Sequence, residues 1–161
     1  MKKQKGFSLI ELLIVVAIIL IIAAIAIPNL LRSRMAANEA SAVGSLRTIN
    51  TAEVTYSTTY PSVGFASLAS LGGVASTCAT ATGATSTTAC LIDNVLAATA
   101  VKSGYAFTAA AGGGTPAVTY TSTALPSVVG QSGQRAFCSD QSGVIRYNAG
   151  GTACANTDPA L

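Results

Sequence analysis

Three groups of residues in this chain have chemistry to offer. The first is Glu11, a carboxylate inside an otherwise apolar run over residues 7–27. A charge at membrane depth costs on the order of 2.5 kcal/mol or more unless it is paired. Such a carboxylate marks a function, or sits near enough to the interface to snorkel, or stays protonated. The second is the junction Gly6-Phe7, where a basic head of Lys2, Lys3 and Lys5 gives way to the apolar run. The third is the set Cys78, Cys90, Cys138 and Cys154. An even number of cysteines in a segment placed outside the cytoplasm predicts two disulfides. Three connectivities are possible, and four buried thiols are the alternative. Cys78–Cys90 and Cys138–Cys154 is the pairing in which each bond brackets a short segment.

Other chemistries lack their residues. The chain has no histidine and no C-x-x-C pair, which argues against a zinc site. Ser, Thr and Asp are scattered without a nucleophile-elbow pattern. Gly112-Gly113-Gly114 has no lysine after it and so is not a phosphate loop. The reading is not an enzyme, with no cofactor. Charged residues make up only 9% of the chain, and the net charge of +3 comes from the basic head. Without Lys2, Lys3 and Lys5, six basic and six acidic side chains remain. No nucleic-acid surface is expected from that balance. A near-neutral chain repels copies of itself only weakly.

The element that carries Glu11 must be a helix. Residues 7–27 are about as many as a helix needs to cross a bilayer, roughly 20. The lysines set its near end in the cytoplasm. The run is too long for a secretory signal and lacks a closing cleavage site, so the natural break lies at Gly6-Phe7. Pro28 removes one helical hydrogen bond and should kink or loosen the helix there. Helical spacing resumes with Leu31, Met35, Ala42, Leu46, Ile49, Ala52, Tyr56 and Tyr60, one apolar stripe. Arg32, Arg34, Glu39, Arg47 and Glu53 lie between them and read as solvated or paired between subunits. One helix over residues 7–60 is expected, closed by Pro61.

These residues carry a resemblance. A basic leader, Gly6-Phe7-Ser8-Leu9-Ile10-Glu11, an apolar run and Pro28 at its end resemble the N-terminus of type IV pilins and of the pseudopilins of type II secretion. The likeness is close over about the first 60 residues and looser beyond. It implies that residues 1–6 are a leader removed by prepilin peptidase, with the cut after Gly6 and methylation of Phe7. It implies that Glu11 meets the amino terminus of a neighbouring copy in a filament. The partners implied are copies of the chain, the assembly machinery and the inner membrane before assembly. A Cys138–Cys154 bond resembles the loop that staples the C-terminal region in many type IV pilins. Some major pseudopilins bind calcium in C-terminal loops, where Asp140 and Asp158 are the only candidates. Turn formation accounts for Asp140, and no metal is expected.

The rest of the chain is read as one small domain over residues 61–161. Residues 61–102 form a connecting region with a helical turn near Leu68 and Leu71, an exposed Ser/Thr/Ala tract over residues 76–88 and a short helix over residues 91–100. Residues 103–161 form an antiparallel sheet and a stapled tail. Strands are expected at 105–108, 117–122, 135–138 and 143–147, with a hairpin turn at Asp140-Gln141-Ser142-Gly143. The fold class is α+β, a pilin-type long helix on a sheet of three to four strands. The functional expectation is a type IV pilin, with the major pseudopilin as alternative. A monomeric membrane-anchored binding module is the rival from a different class, and it has no need of Glu11.

Overall fold

The computed structural model describes residues 7–73, 75–79 and 83–161. It has a long helix α1 (Leu9–Thr59), three short helices α2 (Leu68–Leu71), α3 (Ala75–Cys78) and α4 (Asn94–Thr99), and strands β1 (Val101–Lys102), β2 (Tyr105–Gly112), β3 (Thr119–Pro126), β4 (Ala136–Asp140) and β5 (Arg146–Asn148). The chain divides into two compact units, Met1–Arg34 and Met35–Leu161.

Over residues 12–27 α1 is apolar on every side, and it runs unbroken through Pro28. It is long and apolar enough to cross a membrane. In the second unit the same helix turns amphipathic. Ala42, Leu46, Ile49, Ala52 and Tyr56 are buried, at helical spacing. They share one core with Tyr105, Phe107 and Ala109, which alternate along β2, and with Ala124 of β3 and Phe137 of β4. The period of two on the strands and the period near 3.6 on the helix thus bring one face of each together.

The sheet is an antiparallel meander in the order β1-β2-β3-β4-β5, five strands where three to four are expected from the sequence. The additional strand is β1. It has two residues, joined to β2 through Ser103 (φ 51°) and Gly104 (φ 72°). Two consecutive left-handed residues make the tight hairpin turn whose twist suits flanking strands. β2 and β3 also run longer than expected, pairing from Tyr105↔Pro126 to Gly112↔Thr119. Ala111 and Gly112 therefore belong to a strand, and so do Leu125 and Pro126, because ladder pairing overrides their turn-like character. The Asp140–Gly143 turn closes as expected. The Gly143 N–H donates to the Asp140 carbonyl at 2.8 Å, and the Ser142 N–H donates to Asp140 Oδ1 at 2.9 Å.

α4 starts at Asn94 because Asp93 caps it, accepting the Leu96 N–H at 2.8 Å. In the Ser/Thr/Ala tract, Ala75–Cys78 is a helical turn, and residues 80–82 lie outside the described residues. The tail runs back along β5. The Tyr147 N–H donates to the Pro159 carbonyl at 3.0 Å, and the Leu161 N–H to the Ile145 carbonyl at 2.9 Å. This covers an edge that would otherwise be open to another strand.

Two carboxylates expected at the surface are buried instead. Glu39 Oε1 accepts the backbone N–H groups of Gln134 (2.9 Å) and Arg135 (3.1 Å), and Oε2 accepts the Arg135 guanidinium at 2.9 Å. Burial works to raise the Glu39 carboxyl, but the Gln134 N–H and the two Arg135 donors outweigh it and hold it below the usual range. Glu53 is fully buried. Its Oε2 accepts the Ala66 N–H at 2.9 Å, and Oε1 has no partner among the described residues. Burial pushes this carboxyl up to about 7, and the single Ala66 N–H opposes that only in part.

Between the ordinary value of 4.5 and about 7, the folded chain therefore keeps a Glu53 proton that the unfolded chain has lost. Stability falls as pH rises across that window, by on the order of 3 kcal/mol, and levels off above it. No histidine exists to titrate in the same range. Thermal unfolding of the detergent-solubilised chain should show a midpoint that drops from pH 5 to pH 8, and Glu53→Gln should flatten the slope. A wild-type midpoint that rises or stays level over that range would contradict the assignment.

Candidate functional site

The candidate site is the surface of α1 in the first unit. Every large apolar side chain over residues 7–31 is at least 45% exposed. Leu9, Leu12, Leu13, Val16, Ala17 and Leu20 line a shallow apolar groove along it. An exposed apolar surface of this extent marks a membrane or protein contact. Its residue types explain both the helix and the exposure. Leu, Ile and Ala carry no polar group, and the backbone satisfies its own hydrogen bonds within the helix, the condition for lying in hydrocarbon.

Glu11 stands in the first turn of this helix. Its Oε2 accepts the N–H of Ser8 at 2.9 Å. Ser8 immediately precedes the helix, so the two residues sit at capping-box spacing, S-x-x-E, and this bond is the reciprocal half of that box. Sequence reasoning about the charge alone misses Ser8, although the spacing signals it. The second Glu11 oxygen, Oε1, has no partner among the described residues. Phe7 is 82% exposed. Gly6, the expected cleavage position, lies outside the described residues. Pro28 lies within α1.

The cysteines sit in the second unit. Cys78 is bonded to Cys90 and Cys138 to Cys154, each with a Cα–Cα distance of 5.6 Å. Gly73 leaves room for the first bond, since a Cβ there would come within 2.7 Å of Cys78 Sγ. The second ties β4 to the tail. Asp140 and Asp158 have separate structural roles. Asp140 holds its turn, and Asp158 accepts the Ala155 N–H at 2.9 Å and the Asn148 amide at 3.3 Å. Among the described residues no group of three or more His, Cys, Asp or Glu side chains comes together.

A disulfide closing a loop of this length stabilises a fold by about 3 kcal/mol. Replacing Cys138 and Cys154 together with alanine should lower stability by that order. It should also raise amide hydrogen exchange at Tyr147 and Leu161, whose N–H groups bond across the tail junction. Unchanged exchange at those two amides would show that the tail docks without its staple.

Comparison with known proteins places these features. Residues 1–27 match the family model of the prokaryotic N-terminal methylation motif. Over 39 residues the chain is 64% identical to the type IV wide pilus major component PilA4 of Thermus thermophilus, which covers 24% of this chain and 30% of that protein. Over 54 residues it is 44% identical to the type IV major pilin protein PilA of Myxococcus xanthus, covering 34% of this chain and 24% of that protein. The chain thus spans less than a third of the length of the curated relatives it matches. No solved structure matches significantly. A methylation motif opens a long apolar helix, the chain has an α+β fold of one long helix and an antiparallel sheet, and over about a quarter to a third of its length it is similar to two type IV pilus proteins.

Proposed function

We propose that the chain is the structural subunit of a type IV pilus. The observation that carries this reading is an apolar helix exposed on every side, with one carboxylate in its first turn. On this reading prepilin peptidase cuts after Gly6 and methylates Phe7. Before assembly, residues 7–27 hold the subunit in the inner membrane with its N-terminus in the cytoplasm, where Lys2, Lys3 and Lys5 set the orientation. The pilus assembly machinery lifts it into a filament of copies that ends outside the cell. The filament core is the packed helices. Heterologous contacts that do not close on themselves generate such a helical polymer.

Glu11 supplies the register. Before assembly its Oε2 is held by Ser8 of the same chain. Oε1, without a partner among the described residues, then receives the methylated amine of the next subunit. A carboxylate and an ammonium among packed apolar helices need each other, because either left alone would be an uncompensated buried charge. Such a pair fixes axial position more than it adds net stability. Pro28 leaves one carbonyl of α1 without its usual donor, which lets the helices adjust as they pack.

The role is structural rather than catalytic. The major pseudopilin of a type II secretion system is the alternative within the family. The two relatives, a type IV wide pilus major component and a type IV major pilin protein, support the pilin. Glu11→Ala separates the filament subunit from a merely anchored module. The variant should reach the membrane, be cleaved and fold like the wild type, while shed filament falls at least tenfold. Filament yield at the wild-type level would leave only the anchor.

A further inference from the structure

Arg32 and Arg34 follow the apolar stretch of α1. Both are exposed, and neither has an acidic partner among the described residues. The two ion pairs among the described residues use other groups, Glu39 with Arg135 and Asp93 with Lys102. At 100° per residue, positions two apart project from nearly opposite sides of a helix at nearly the same height, about 3 Å apart along the axis. The stretch below them is uncharged. From Leu12 to Leu31 there is no ionisable side chain. At 1.5 Å per residue that span measures about 30 Å, the thickness of a bilayer's hydrocarbon core. With Glu11 at one boundary of the hydrocarbon, Arg32 falls at the other.

We propose that Arg32 and Arg34 clamp the phosphate groups of outer-leaflet phospholipids and so fix the depth at which the subunit waits in the membrane. The inference rests on the membrane-held state described above. A guanidinium presents a planar fork of donors that matches two phosphate oxygens. Arginines at the ends of a spanning helix extend their stems along it and place the charge among the headgroups. The opposed directions of the two side chains decide between occupants. A layer of headgroups surrounds the helix and meets both, whereas one docked protein face would meet one. The clamp also has a direction. Sinking would carry two guanidinium groups into hydrocarbon, while lifting carries them from phosphate into water. It therefore resists inward slippage more strongly than outward extraction, which exchanges the phosphate contacts for water. Cleavage after Gly6 would remove Lys2, Lys3 and Lys5, leaving these two arginines as the basic side chains flanking the span.

The test uses the full chain, labelled with carbon-13 in its arginine guanidinium groups and reconstituted in phosphatidylethanolamine–phosphatidylglycerol vesicles. Solid-state NMR then measures dephasing of guanidinium carbon by lipid phosphorus. The expected result is contact at about 5 Å that disappears in the double variant Arg32→Gln, Arg34→Gln. A nitroxide at position 30 should also sink by about one helical turn, ~5 Å, in that variant. Dephasing that is absent in the wild type overturns the proposal, because the arginines then face something other than lipid phosphate, an acidic group of another copy included. So does dephasing that survives the double substitution, which would assign the contact to Arg47, Arg135 or Arg146. An unchanged nitroxide depth overturns the depth-setting role. None of these readouts needs a filament. Lipid contact in a chain that never polymerises in cells would remove the pilus reading and leave this one standing.

Discussion

A helix that is apolar on all sides has to be covered by something, and the rest of this molecule follows from that constraint. Over residues 7–31 the large apolar side chains of α1 find no cover within their own chain. Only two environments suit such a surface, lipid hydrocarbon and other helices like it. The hydrophobic contribution scales with area removed from water, about 25 cal/mol per Å². Lipid and packed helices remove that area about equally well, so a subunit can pass from one to the other without a large difference in apolar burial. What distinguishes the two states is then left to the few polar groups. Within its own chain Glu11 has the Ser8 capping bond. In the proposed filament it gains the option of an ammonium partner.

The second half of the same helix solves the opposite problem. There the apolar side chains are gathered into one stripe, and the domain covers them. Three polar residues of this half, Glu39, Asn50 and Glu53, each hold another element. Glu39 binds the backbone just before β4. Asn50 donates to Ser139 of β4 at 2.8 Å and accepts from the Tyr120 hydroxyl of β3 at 3.1 Å. Glu53 binds the loop that follows the helix. Buried polar groups of this kind cost free energy unless they are satisfied, so they hold the sheet on the helix in one register. A domain of low charge content, closed by two disulfides, thus relies on a handful of specific bonds.

How much of this could be read from sequence depends on where each partner lies. The change of α1 from apolar all round to striped is a matter of spacing, and Ala42, Leu46, Ile49 and Tyr56 announce it. β2, β3 and β4 show their alternation or their turns, and Asp140-Gln141-Ser142-Gly143 announces its hairpin. β1 is too short to alternate, and its only sign is Ser103-Gly104, a dipeptide that tolerates left-handed backbone. The inward placement of Glu39 and Glu53 has no sequence signal, because their partners are backbone N–H groups. Those of Gln134 and Arg135 lie 95 and 96 residues away from Glu39. At the candidate site, Glu11 is conspicuous as a charge in an apolar run, whereas its bond to Ser8 is disguised by the same apolar context. Contacts between copies are not encoded in any spacing within one chain.

We propose that this chain leaves the membrane as a processed polymer. Shearing cells, imaging the released material and reading the N-terminus of its subunit by mass spectrometry tests that most directly. The account predicts long thin filaments whose chain begins at methylated Phe7 and carries the mass deficit of two disulfides. An unprocessed chain that still bears residues 1–6 and stays in the envelope would contradict it.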